Sequence, residues 1–135
     1  MMRNKRIQHL VVCGIALLLV AIAPSAPSQV GLERKILIRQ DLPIPGYETV
    51  LVEVTIAVGG REGRHSHPGT LVGYILEGEL TLESDGQPTK IIKAGESILI
   101  EPGRVHEGIN KGNRPVKALV TFILEKGKPL SIPAP

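Results

Sequence analysis

Aromatic side chains are almost missing from this chain, which has two tyrosines, one phenylalanine and no tryptophan in 135 residues. Tyr47, Tyr74 and Phe122 are too few for a base-stacking platform, and their scarcity also argues against aromatic substrates that need stacking walls. Cysteine is nearly absent as well, the single one being Cys13. Downstream of it there is no disulfide, thiol nucleophile or thiolate ligand to consider. Long apolar runs are confined to Leu10–Ala23. That run is about 14 residues, short of the about 20 that a spanning helix needs. It follows basic Arg3, Lys5 and Arg6 and leads into Pro24-Ser25-Ala26-Pro27-Ser28, the order of a signal peptide cleaved near Ser28. An uncleaved anchor is the alternative, and only then would the chain touch a membrane. Cys13 precedes most of the apolar run instead of closing it, which argues against a lipoprotein cysteine.

A surplus of basic charge is missing too once the leader is set aside. The formal net charge is +3, but three of the 16 Lys and Arg lie in the leader while all 13 Asp and Glu follow it. The remaining domain is near neutral, and without a basic patch nucleic acid is excluded as a partner. The expected organisation is a signal peptide over residues 1–28, one small all-β domain over 29–125, and a proline-rich, loosely ordered tail over 126–135. The expected location is periplasmic or secreted.

What is present is aliphatic and alternating. Val50, Val52, Val54, Ile56 and Val58 recur with a period of two, the mark of a strand with one buried face. Ile36–Arg39, Leu71–Leu76, Leu80–Glu83, Thr89–Lys93, Ser97–Ile100 and Val116–Leu124 read as further strands, with Glu77-Gly78-Glu79 as a hairpin-like connection and Asp85-Gly86 as a turn. No segment shows a capped helical period. Short strands with frequent turn signals predict a β-sandwich or barrel.

Three histidines remain after the leader: His65, His67 and His106. His65 and His67 lie two apart on an extended segment, so their side chains share a face. His106 can join them if the chain folds back to place the two strands side by side. Imidazole ligates iron, manganese, nickel, copper and zinc, and three histidines leave coordination positions open, as catalytic metal sites do. Surface histidines without a role are the alternative.

The glycines around these residues carry a resemblance. Gly59-x5-His65-x-His67 with Gly78, and Gly95-x7-Gly103-x2-His106-x3-Asn110, resemble the two motifs of the cupin superfamily. They and their intervening strands cover residues 36–124, nearly all of the domain. The resemblance implies a jelly-roll β-barrel with one divalent metal on His65, His67 and His106. It further implies water in the open positions, a small-molecule ligand or substrate, and a homodimer paired through a sheet edge such as Ile36-Leu37-Ile38. The chain departs from the motifs twice. Leu71 stands where the family has its ligand glutamate, which leaves either a three-histidine site like those of dioxygenase-like cupins or a weakened site. Glu101 stands where the family has proline and is a candidate acceptor for a ligand histidine.

Glu107 alternates away from His106 and is a poor ligand. Arg64 and Ser66 alternate away from the histidine pair, and Tyr74 is either a cavity wall or a core residue with its hydroxyl at the rim. The function expected is a metal-dependent, dioxygenase-like oxidoreductase on a small polar or anionic molecule. The alternatives are a non-catalytic binding module and a structural barrel with vestigial histidines.

Overall fold

The computed structural model describes residues 29–135, and the leader expected over residues 1–28 lies outside the described residues. Ten strands follow one another without an intervening helix. They are β1 (Val30–Asp41), β2 (Tyr47–Arg61), β3 (His65–Ser66), β4 (Thr70–Glu77) and β5 (Glu79–Ser84), then β6 (Lys90–Lys93), β7 (Ser97–Ile100), β8 (His106–Ile109), β9 (Val116–Glu125) and β10 (Ile132–Pro133). One face of the barrel is β1-β2-β9-β4-β7 and the other is β10-β3-β8-β5-β6, every neighbouring pair antiparallel. The faces join where Arg61 of β2 pairs with Ile109 of β8. This is a nearly closed all-β barrel of the jelly-roll type.

The alternating pattern of β2 drives the packing. Val50, Val52, Val54 and Ile56 point inward and lie opposite Phe122, Val120, Ala118 and Val116 of β9. Leu71 and Ile75 of β4 and Ile98 and Ile100 of β7 extend the same apolar layer. The opposite face contributes only Leu80, Leu82 and Ile92 to the apolar core, and inward positions of β3 and β8 carry His65 and His106. Each buried Val, Leu or Ile adds about 1.5–3 kcal/mol relative to exposure, so the barrel rests mainly on the β2-β9-β4 layer.

Three expectations are corrected. Leu71–Leu76 and Leu80–Glu83 do not form a hairpin, since β4 pairs with β7 and β9 while β5 pairs with β6 and β8. Gly78 is the crossing point between faces. Its φ of 80° suits glycine, and a Cβ there would approach the Pro115 carbonyl oxygen at 2.5 Å. Both flanking segments alternate, so periodicity could not tell a hairpin from a change of sheet. The tail is not loose either. β10 pairs with β3, the Ala134 amide donates to the Arg64 carbonyl at 2.9 Å, and Leu130 packs against the core. Prolines do not prevent edge pairing when their missing N–H faces outward. The strand read at Ile36–Arg39 is also longer, running from Val30, because the unpatterned Glu33-Arg34-Lys35 pairs along β2.

Asn110 fastens the turn after β8. It is fully buried, and its Nδ2 donates to the Ile56 and Arg114 carbonyls at 3.0 and 2.9 Å while its Oδ1 accepts from the Gly112 amide at 3.0 Å. Asn110→Ala is expected to lose about 2–3 kcal/mol, since each buried group left unpaired costs about 1–3 kcal/mol. That corresponds to roughly a 10 °C lower melting temperature for a domain of this size. Asn110→Asp should do worse by setting oxygen against two carbonyls. Thermal unfolding followed by circular dichroism checks both, and an unchanged midpoint for either variant would refute the role.

Candidate metal centre

The fold brings His65, His67 and His106 to one point. His65 lies directly opposite His106 across β3 and β8. The ring centroids are 4.8 Å apart for His65–His67, 4.4 Å for His65–His106 and 4.9 Å for His67–His106. The available ligand nitrogens all lie within 4.8 Å of one another, and each residue is 3 % exposed. Phe122, across the barrel, meets the His67 ring edge-on at 5.0 Å.

Each ring is oriented by its own backbone acceptor. Nδ1 of His65 lies 2.8 Å from the Gly63 carbonyl, Nδ1 of His67 lies 2.7 Å from that of Leu130, and Nδ1 of His106 lies 3.0 Å from that of Arg104. A carbonyl oxygen only accepts, so each Nδ1 carries the hydrogen and each Nε2 keeps its lone pair. Burial lowers the pKa of all three, that of His67 to about 3. At neutral pH these are three uncharged imidazoles. Nε2 of His67 is buried with no hydrogen-bond partner, and an unsatisfied acceptor in an apolar interior calls for a ligand. Neutral imidazoles with free Nε2 lone pairs and tethered Nδ1–H groups fit a divalent ion.

The other residues singled out in the sequence lie apart. Leu71 is buried in the apolar wall of the adjoining cavity, so no carboxylate approaches from that position. Glu101 pairs with Arg104 at the surface, and it accepts nothing from a histidine. Glu107 accepts from Arg61 at 2.6 and 2.7 Å and from the Gly63 amide, and the Arg61 hydrogen bonds hold its carboxyl below the usual range. Arg64 donates to Asp85 and to the Pro135 carbonyl. Tyr74 is 48 % exposed and is neither core nor cavity.

Sequence reading missed three participants. The Leu130 carbonyl comes from the tail. Among the described residues, Arg34 of β1 and Glu62, just after β2, are the only charged side chains lining a cavity of about 50 Å³ that His67 and His106 also line. Glu62 lies among the glycines between Gly59 and Gly63, and Arg34 stands in a stretch without alternation. Nothing in either pattern marks them.

A small jelly-roll barrel with histidines converging inside it from β3, the loop after it and β8 defines the class to which this molecule belongs. The Cupin domain family model matches residues 52–122, and the chain belongs to the cupin family. It is 35 % identical over 89 residues to Germin-like protein 3-5 of Oryza sativa subsp. japonica, covering 58 % of this chain and 39 % of that one. It is 33 % identical over 89 residues to oxalate oxidase GF-2.8 of Triticum aestivum, covering 58 % and 40 %. The chain thus spans about two fifths of the length of these relatives. A cupin-like protein from Thermotoga maritima shares the fold, with a TM-score of 0.63 at 21 % identity over 82 % of this chain and 84 % of that one.

The buried histidines make metal-free stability depend on pH. Below the ordinary imidazole value of 6.5 the unfolded chain takes up protons that the folded chain refuses down to about 3 at His67. Stability is therefore full above 6.5 and falls as pH drops through that window, by up to about 1.4 kcal/mol per histidine per unit. Glu62 acts in the opposite sense. Burial raises its pKa above 4.5, which favours the folded form as pH falls, but it is one group against three. Melts of metal-free protein should be level from pH 8 to 7 and drop steadily from 6 to 4, less steeply for His67→Gln. Equal slopes for the two proteins would contradict a neutral buried His67.

The tail contact makes a separate prediction. A chain ended after Glu125 lacks the Leu130 carbonyl that orients His67, and metal affinity should fall roughly 10–100-fold. Competition against a chromophoric chelator measures this, with circular dichroism to show that the barrel persists. Native affinity in the shortened chain would remove the tail from the site.

Proposed function

We propose that this protein is an exported cupin that holds one divalent ion on His65, His67 and His106. In this reading it acts as a metal-dependent, dioxygenase-like oxidoreductase on a small polar or anionic molecule. The observation that carries the reading is the set of three neutral imidazoles, each with Nδ1–H tied to a carbonyl, together with the unpartnered Nε2 of His67. Iron, manganese, nickel, copper and zinc all suit such donors. The bound ion would supply Lewis acidity and, for the redox-active members of that series, electron transfer toward O2.

The chain's own residues limit what can enter. A cavity of about 50 Å³ has room for roughly four waters at about 10–15 Å³ each, which confines the substrate to a few heavy atoms. Its wall is apolar apart from the histidines, Arg34 and Glu62, and it excludes bulk water from the ligand nitrogens. Neutral ligands leave an ion's two charges uncompensated, which favours an anionic substrate. The likeness to an oxalate oxidase supports a small acid. Export rests on the N-terminal pattern of basic residues, apolar run and small residues. A homodimer paired along β1 belongs to the same reading, supported by the exposure of Ile36, Leu37 and Ile38 on that strand.

Leu71 favours a second reading, in which the barrel captures a metal or small ligand without turnover, because the motif carboxylate is replaced by an apolar wall residue. Elemental mass spectrometry on untagged protein purified without chelators separates the possibilities. About one equivalent of a redox metal, lost in His65→Ala/His106→Ala and accompanied by O2 uptake with small acids, is expected. Bound metal without uptake would select the binding module, and no metal in native protein even after addition would refute the site.

A further inference from the structure

We propose that the cavity beside the histidines is built for a small hydroxy acid bearing one negative charge. Arg34 takes the carboxylate and Glu62 accepts the hydrogen bond of the hydroxyl. This deepens the metal reading above and rests on it.

Glu62 is placed, not stray. Its Oε2 accepts the Gly108 amide at 3.1 Å, and its side chain is 16 % exposed. Gly108 is what admits it, since a Cβ at that position would collide with Oε2 of Glu62 and meet its Cδ at 3.0 Å. An inward-facing β8 position beside His106 has thus been emptied to make room for a carboxylate. The second oxygen, Oε1, lies 3.9 Å from the Arg34 guanidinium, beyond hydrogen-bond range. No other group among the described residues reaches it, so one acceptor faces the cavity unfilled.

Arg34 is equally under-used. Its guanidinium has five N–H donors, and its one hydrogen bond among the described residues is a long 3.4 Å contact from Nη1 to Gln29. Arg34 lines the cavity from the edge strand β1, and its planar fork has the form suited to a carboxylate. The site therefore offers a cationic fork, one anionic acceptor and the imidazole cluster, with apolar walls between them. A bound dication nearby favours the ionised form of Glu62. A ligand with a carboxylate and an O–H donor satisfies both ends. A dianion without a donor, such as oxalate, sets a second carboxylate against Glu62.

The test uses the full chain loaded with cobalt(II), whose visible bands respond when a ligand enters. Acetate, glycolate and oxalate are titrated into the native protein and into Glu62→Gln and Arg34→Met. In Glu62→Gln the Gly108 amide retains the side-chain oxygen, so the amide NH2 takes the place of Oε1 and presents a donor. Glycolate should then bind about tenfold or more weakly, the loss of one hydrogen bond to a charged group. Acetate should stay within about twofold, and oxalate should tighten. Arg34→Met should weaken all three alike. Comparing each acid across variants cancels its intrinsic affinity for cobalt. Native bands with unchanged glycolate affinity in Glu62→Gln, or with acetate falling alongside glycolate, would overturn this inference alone. Native protein without cobalt bands would overturn the metal reading and this inference with it.

Discussion

The structure depends on keeping three imidazoles uncharged and aimed while they are packed into an apolar barrel. A single protonated histidine would place a charge where burial already lowers the pKa of each ring, and three would repel one another across centroid distances below 5 Å. Backbone carbonyls settle the matter by accepting from Nδ1 in every case. Those carbonyls neutralise nothing, yet they fix the tautomer and leave the other nitrogen as a lone pair. The arrangement is therefore set by main-chain geometry, and substitutions far from the histidines act on it by moving a carbonyl.

That dependence explains the division of labour between the two faces. The β2-β9-β4-β7 layer is almost wholly aliphatic and holds the barrel together, whereas β3 and β8 contribute histidines to the same interior. β3 has two residues and β8 has four, too short to hold three rings by their own pairing. The chain compensates at both ends. Asn110 fastens the turn after β8, and β10 closes against β3 so that Leu130 can reach His67. The tail is part of the wall behind the site.

How far this was legible in the sequence follows from which forces leave a periodic mark. Burial on one face does, so β2 and β9 could be read from their alternating valines and isoleucines. A pair of histidines two apart on an extended segment does too, because i and i+2 share a face. Pairing partners leave no such mark, which is why β4 and β5 read as a hairpin until Gly78 proved to be a crossing. A backbone carbonyl has no sequence signature at all, so the part played by Leu130 was invisible and the prolines around it pointed the other way. Glu62 and Arg34 were missed for a related reason. Their meaning lies in lining the cavity that His106 also lines, and a charged residue looks the same in sequence whether it faces solvent or a cavity.

Leu71 and Glu62 together set what kind of site this can be. A ligand glutamate would subtract one charge from the ion and fix that charge at the metal. With Leu71 in its place the histidines stay neutral, and a carboxylate sits on the cavity wall instead, Glu62 being held through Oε2 by the Gly108 amide with Oε1 loosely opposed by Arg34. In the reading proposed here, that shift separates holding the ion from choosing its ligand. The histidines would do the first at full cationic charge, which draws anions of many kinds. The Arg34–Glu62 pair would do the second, since a carboxylate on the wall repels a second negative charge but accepts from a hydroxyl. Selectivity among small acids would then come less from cavity size than from the number of protons the ligand retains.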